Sequence, residues 1–333
     1  MTTDSTPKPD PNVETPVTHI PVLEPSSGIQ LLLNPALDES QQHKLKALRE
    51  HVQVQVLPET DDYHAKETAF LSDSTLQRYL RARKWDLESA KKQLDGSILW
   101  RRSYKPEMID PKEVEPEVGI LGKISPSHSL TGKMYLNGFD KHGRPTLYLK
   151  PRYENTKPSA AQIRNVVFNL ERATRLMPEG VDNLNIIIDM AGSSMSTSPG
   201  VGISKQFLDV LGNHYPERLG VACIVHCECE SRRIVMVLFM SYEDLVSSPW
   251  FFWPFFKVIS PFIDPITRSK IKFVDPKHVY EPAKDSSKEH EWVSLFEYYT
   301  PEQLEKDFNG GINFKWDFEK YWQALLDKTG NPF

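Results

Sequence analysis

At 333 residues, 39% of them hydrophobic and 26% charged, the chain has a globular composition and room for one large domain or two modest ones. A net charge of −5 and a pI near 6.1 argue against nucleic acid as the main partner, because a surface that tracks phosphates needs a basic excess. Cys223, Cys227 and Cys229 fall too close together for a disulfide framework, no N-terminal apolar run reads as a signal peptide, and no stretch approaches the roughly 20 apolar residues of a membrane span; the expectation is a cytoplasmic protein.

Residues 1–35 are Pro/Thr-rich and poor in large apolar side chains, which predicts a disordered leader. From Glu39 the spacing of Leu45, Leu48 and Val52 predicts a helix. A second begins after Ser72 or Ser74, with Leu76, Tyr79 and Leu80 on one face. A third runs from Asp86 through Ala90, Leu94, Ile98 and Trp100 and ends at Tyr104-Lys105-Pro106. Residues 36–110 thus form a helical lobe.

A different texture follows over 116–325. Residues 132–135 read as a strand, Asn137 to Gly143 as a turn and Pro145–Leu149 as the next strand. Helix Ser159–Leu176, strand Leu184–Asp189, helix Ser204–Asn213 and strand Gly220–Val225 come next, with two further helical stretches around Phe308–Gly311. Strands alternating with helices imply crossover units, and the continuous apolar runs fit strands buried on both faces. The fold class is α/β, a helical N-terminal lobe followed by a mostly parallel sheet.

No nucleophile elbow, Walker-type loop or H-E-x-x-H appears. Gly200-Val201-Gly202 reads as a turn in a serine-rich loop. His226-Cys227-Glu228-Cys229 lacks the separated pairs of a tetrahedral zinc site. The expectation is a protein that is not an enzyme and holds no metal or cofactor.

Four motifs point elsewhere. Leu80 to Asp86 reads LRARKWD, Asp140 to Pro145 reads DKHGRP, His214 to Gly220 reads HYPERLG, and Pro261 to Lys270 reads PFIDPITRSK. In this order and spacing, from about residue 40 to 325, they resemble the CRAL-TRIO family. The likeness is strongest to fungal phosphatidylinositol-transfer proteins of the pleiotropic-drug-resistance type. The resemblance implies a carrier that holds phosphatidylinositol under a gating helix and moves it between membranes or presents it to a lipid kinase. It implies peripheral membrane contact, at the endoplasmic reticulum, lipid droplets or cell periphery. The headgroup residues it implies are Arg83, Glu217, Thr267 and Lys270, with Lys84 and Asp264 beside them. A buried phosphodiester needs a cation, and Thr267 can both donate and accept. On the residues alone, a structural ion pair between Glu217 and Lys270 and a helix C-cap at Arg83 are the favoured reading; the resemblance turns it toward headgroup contact.

Residues 249–263 carry Trp250, Phe251, Phe252, Trp253, Phe255, Phe256 and Phe262, with Lys257 the one charge. A segment apolar on almost every side suits burial or lipid contact, and the resemblance makes it the gate. Two departures stand out. Where family members that bind phosphatidylcholine carry small hydroxyl residues, this chain has Leu184 and Ile186, which implies poor phosphatidylcholine binding and admits a sterol as second ligand. Residues 227–248 also separate the strand from the gate without a family counterpart. An unspliced intron in the gene explains them better than a genuine insertion, since an insertion there should perturb the moving part. The competing functions are a sterol or other hydrophobic-ligand carrier, a lipid hydrolase and a regulatory scaffold without lipid.

Overall fold

Helix α1 (Glu39–Gln53) starts where its first amide groups find acceptors. Asp38 accepts from Gln41 N at 2.8 Å, and the Gln41 side chain reaches back to Asp38 N, a reciprocal capping box. The apolar positions of α1 meet those of α3 (Asp73–Ala82) and α4 (Leu87–Tyr104), so that Leu48, Leu76, Leu80 and Leu94 are fully buried in one cluster. Each such side chain contributes about 1.5–3 kcal/mol on leaving water. Asp86 caps α4 through Ser89 N at 2.9 Å, and Lys105 ends it in the left-handed region at φ +49, ahead of Pro106. A short helix absent from the sequence reading, α2 (His64–Phe70), packs on α4. The computed structural model describes residues 15–32, 34–114, 131–156, 159–194, 197, 201–226, 263–274 and 292–330.

Among the described residues the sheet has six strands in sequential order: β1 (Met134–Phe139), β2 (Pro145–Leu149), β3 (Leu184–Asp189), β4 (Leu219–Val225), β5 (Ile271–Val274) and β6 (Trp292–Val293). β1 and β2 form an antiparallel hairpin, and every later pair is parallel. Asp140 closes the hairpin by accepting from His142 N and Arg144 N at 2.9 and 2.8 Å. Helices α5 (Ala160–Leu176) and α6 (Val201–His214) make the crossovers β2–β3 and β3–β4. Right-handed crossovers between sequential neighbours put both on one face, and they pack together. Strand alternation groups Leu147, Ile186, Ala222 and Ile224 on one face and Tyr148, Ile187, Cys223 and Val225 on the other.

The second face is covered by the segment after β6. Tyr299 Oη lies 3.3 Å from Thr146 Oγ1, and Phe308 stacks on Tyr148. Glu305 is almost wholly buried among Lys150 Nζ (3.1 Å), Tyr135 Oη (2.9 and 3.0 Å) and Asn137 Nδ2 (2.8 Å). Helix α8 (Phe318–Thr329), capped by Asp317, returns to α5 and stacks Trp322 on Phe168; α7 (Pro265–Ser269) precedes β5.

Several expectations need correction. Much of the stretch expected to be disordered is held in place. Thr18 N donates to Asn313 O and Thr18 O accepts from Lys315 N, while Val22 exchanges hydrogen bonds with Asn137 and Gly138 and Leu23 is buried. Partners almost 300 positions away supply what local composition lacks. The strand β1 runs on to Phe139 through residues expected to turn. It does so because Gly138 sits at φ +72, where any Cβ would overlap the Gln303 carbonyl oxygen. Gly202 lies inside α6 rather than in a turn. Near Phe308 the chain makes short 3₁₀ turns, and one α-helix, α8, follows. The aromatic segment Trp250–Phe262 and the 227–248 stretch lie outside the described residues.

Removing one partner of a buried ion pair leaves the other charge uncompensated, so Lys150→Ala should cost about 3–5 kcal/mol. The paired replacement Lys150→Met with Glu305→Leu should cost much less. Urea unfolding of the three proteins checks this; equal midpoints for Lys150→Ala and the parent would show that the pair does not hold the covering segment.

Candidate functional site

Glu217 follows Pro216 in a left-handed conformation, φ +56, which costs an L-residue roughly 1–2 kcal/mol. The turn is held there from both ends. Arg218 O accepts from Leu184 N at 2.8 Å, joining the turn to β3, and Arg218 Nη1 donates to Asp182 O at 2.6 Å. On the other side Arg78 Nη1 donates to Pro216 O at 3.1 Å and Tyr79 Oη to His214 O at 3.2 Å. Ser97 Oγ and Gln93 Nε2 reach Asn213 O at 3.0 and 3.1 Å. The helical lobe thus docks on the segment that presents Glu217.

Lys270 is the C-cap of α7, and its carbonyl accepts from Ala222 N at 2.9 Å, which fixes the start of β5 beside β4. Its Nζ lies 3.2 Å from Glu217 Oε2, both side chains being 24% exposed. Asp264 caps α7 by accepting from Thr267 N at 2.9 Å. Burial pushes the Asp264 carboxyl up, but the hydrogen bonds from Thr267 and the nearby Lys270 charge outweigh it and hold the group below the ordinary carboxylate value. Thr267 is half-buried between Asp264 and Lys270.

Of the six residues expected at a headgroup, the structure therefore gathers four: Glu217 and Lys270 as a pair, with Thr267 and Asp264 on the short helix that Lys270 ends, Asp264 at its opposite cap. Arg83 and Lys84 occupy the exposed α3–α4 turn, Arg83 as the C-cap of α3 and Lys84 at φ +51. Among the described residues neither forms an ion pair, and no hydrogen bond joins them to Glu217 or Lys270.

Two further clusters escaped the sequence reading. At the carboxyl ends of β3 and β4, Asp189 accepts from Arg152 Nη1 at 2.5 Å and lies 2.7 Å from His226 Nδ1. Burial raises the Asp189 carboxyl, and its His226 and Arg152 partners more than reverse that. Between the lobes, the Arg101 guanidinium bridges Glu107 and Glu171, while Tyr63 and Tyr215 donate to the same carboxylates at 2.5 and 2.7 Å. Apart from Arg101 and Glu107, six positions apart, the partners lie 37 or more positions from one another in the chain, so no spacing pattern marks them. Among the described residues no group of His, Cys, Asp and Glu could hold a metal ion, and no helix is long and apolar enough to cross a membrane.

Family models place this architecture. The CRAL/TRIO domain matches residues 130–228 and 235–310, and the CRAL/TRIO N-terminal domain matches 44–96. The chain belongs to the CRAL-TRIO family. Within the 227–248 stretch the family match covers 227–228 and 235–248 and breaks only over 229–234. Among CRAL-TRIO relatives, the phosphatidylinositol transfer protein PDR17 of Saccharomyces cerevisiae is 30% identical over 90% of this chain and 78% of its own. A CRAL-TRIO domain-containing protein of Schizosaccharomyces pombe is 39% identical over 78% of this chain, which spans only 21% of that longer protein. The crystal structure of Sfh5 superposes with a TM-score of 0.51 at 15% identity, over 72% of this chain and 82% of that one, and shares the fold.

His214, at the start of the docking turn, stacks on Trp100 with ring centroids 4.2 Å apart. Burial, then the nearby Arg101 charge, lowers its imidazole from 6.5 to about 4. In the unfolded chain the ring takes up a proton near pH 6.5, whereas in the folded protein it does so only near pH 4. Stability should therefore fall as pH drops from 6.5 to 4. Thermal unfolding across that window checks this, and His214→Gln should flatten the slope; an unchanged slope in the variant would assign the acid response to other groups.

Proposed function

We propose that the chain binds phosphatidylinositol and carries it between membranes, or presents it to a lipid kinase, with the headgroup engaged by Glu217 and Lys270. The observation that carries this reading is the pair itself. It sits on a strained turn, at the amino ends of two core strands, and remains partly open to solvent. Strain of this kind persists only where the surroundings enforce it. The carboxylate offers acceptors to ring hydroxyls, and the ammonium offers a point charge to the phosphodiester. Thr267 can bridge phosphate and hydroxyl, and Asp264 holds α7 in register by capping it. Arg83 and Lys84 complete the proposed set as exposed cations on the docked lobe.

The acyl chains need a continuous apolar surface, since each buried CH₂ contributes about 0.8 kcal/mol. The sheet face bearing Leu147, Ile186, Ala222 and Ile224 supplies one such wall, and the aromatic segment from Trp250 to Phe262 has the composition of its cover. Leu184 and Ile186 are buried on that face and offer no hydrogen bond to a choline-lipid phosphate. The same lack of polar groups favours a sterol as a second cargo.

Lipid extracted from the purified protein and identified by mass spectrometry should be phosphatidylinositol, lost from both Glu217→Ala and Lys270→Ala while their circular dichroism stays that of the parent. An apolar ligand retained equally by all three proteins would keep the carrier and remove this headgroup site. Vesicle assays should show little exchange of phosphatidylcholine by the parent, and Ile186→Thr should raise it; ready exchange by the parent would contradict the role given to Leu184 and Ile186.

A further inference from the structure

Arg218 N donates to Tyr215 O at 3.3 Å, which makes Tyr215 to Arg218 a four-residue turn with Pro216 second and Glu217 third. Proline at the second position suits both common forms of such a turn. The two forms differ in the peptide between the central residues. Turned one way, it leaves the third residue at a φ of about −90; turned the other way, it demands a positive φ, which glycine accepts and a residue with a Cβ resists. Glu217 stands at φ +56, the form that its own side chain disfavours. The selection must come from outside the turn.

The group that changes direction between the two forms is the carbonyl of Pro216, and a side chain of α3 holds it. Arg78 Nη1 donates to Pro216 O at 3.1 Å, while Nη2 donates to Thr75 Oγ1 at 2.9 Å on its own helix. The planar fork ties the central peptide of the turn to α3 in one orientation. The arrangement is costly. Arg78 is 1% exposed, forms no ion pair among the described residues, and its Nε has no hydrogen-bond partner there. Burial, and then the charge of Arg218, hold the guanidinium well below its ordinary value. Docking of the lobe does not need this charge, because Tyr79, Ser97 and Gln93 dock it through neutral hydrogen bonds to the carbonyls of His214 and Asn213.

We propose that Arg78 is a positioning residue for the headgroup site: by holding the Pro216 carbonyl it keeps the central peptide in the orientation that puts Glu217 at positive φ and its carboxylate beside Lys270. The inference rests on the reading of Glu217 and Lys270 as headgroup contacts. Arg78 does not touch the lipid and acts through Glu217. Without it the peptide is free to turn over, Glu217 relaxes to a negative φ, and its side chain leaves Lys270. Because Arg78 belongs to the lobe, an α3 that undocks lets go of the same peptide, which links lobe docking to the grip on the headgroup.

The test uses Arg78→Met in the full chain, a substitution that fills a similar volume without a donor or a buried charge and should therefore fold. Its crystal structure should show Glu217 at negative φ and the contact with Lys270 broken; Glu217 still at positive φ overturns the proposal, whatever lipid the protein carries. Its affinity for phosphatidylinositol in phosphatidylcholine vesicles should fall about tenfold, with no further loss when the change is added to Glu217→Ala. Tyr79→Phe, which removes a docking bond of the same helix but leaves Pro216 held, should bind within about twofold of the parent. An added loss in the Glu217→Ala background, or an equal loss in Tyr79→Phe, would make Arg78 a general docking residue and also overturn the proposal. Failure of the headgroup reading shows separately, as equal binding by the parent and Glu217→Ala, and the crystal structure then decides the positioning claim alone. Arg78→Gln, whose amide ends two bonds short of the guanidinium's outer donors, replaces Arg78→Met should that variant melt early.

Discussion

The turn from His214 to Arg218 is the constraint on which the rest of the structure depends. Backbone carbonyls at Asn213, His214 and Pro216 accept the side chains by which the helical lobe docks, and the carbonyl of Arg218 starts the β3–β4 ladder. Between these anchors Glu217 is held in a left-handed conformation facing Lys270. Relaxing the turn would loosen the lobe, the ladder and the ion pair together. That is why a strained, charged residue can persist at a position where an unconstrained chain would avoid it.

The same turn separates two electrostatic environments. On one side a carboxylate and an ammonium neutralise each other at 3.2 Å and stay within reach of solvent. On the other, Arg101, Arg175, Arg218 and Lys66 share a cleft with Glu107, Glu171, Glu179 and Asp182, so that the charges are both more numerous and more deeply set. A carrier that must hold and release a lipid gains from having its headgroup contacts and its lobe docking in one covalent segment, because movement at either is felt at the other.

Much of this was legible in the chain. The periodicity of Leu45, Leu48 and Val52, the cap at Asp86 and the apolar run of Leu184–Asp189 placed their elements within a residue or two, because these signals are local. The pairing of Glu217 with Lys270 followed from motif resemblance rather than from spacing, since 53 positions separate them. What stayed hidden depends on distant partners. Leu23 is ordered by a strand edge and by the segment near Phe314, Gly138 is required by the Gln303 carbonyl, and Arg101 gathers carboxylates from two other elements. Arg83 and Lys84 show the reverse: the family motif grouped them with the pair, whereas the turn that carries them leaves both exposed and, among the described residues, without a hydrogen bond to Glu217 or Lys270.

The central claim is that Glu217 and Lys270 act as one unit on the inositol headgroup. A double-mutant cycle on the rate of phosphatidylinositol transfer between vesicles tests it most directly. If the pair works as a unit, Glu217→Ala and Lys270→Ala each remove most of the transfer, and the double variant is no slower than the slower single one. Independent losses that add, or transfer unchanged in both single variants, would contradict the account and leave the pair as a structural ion pair.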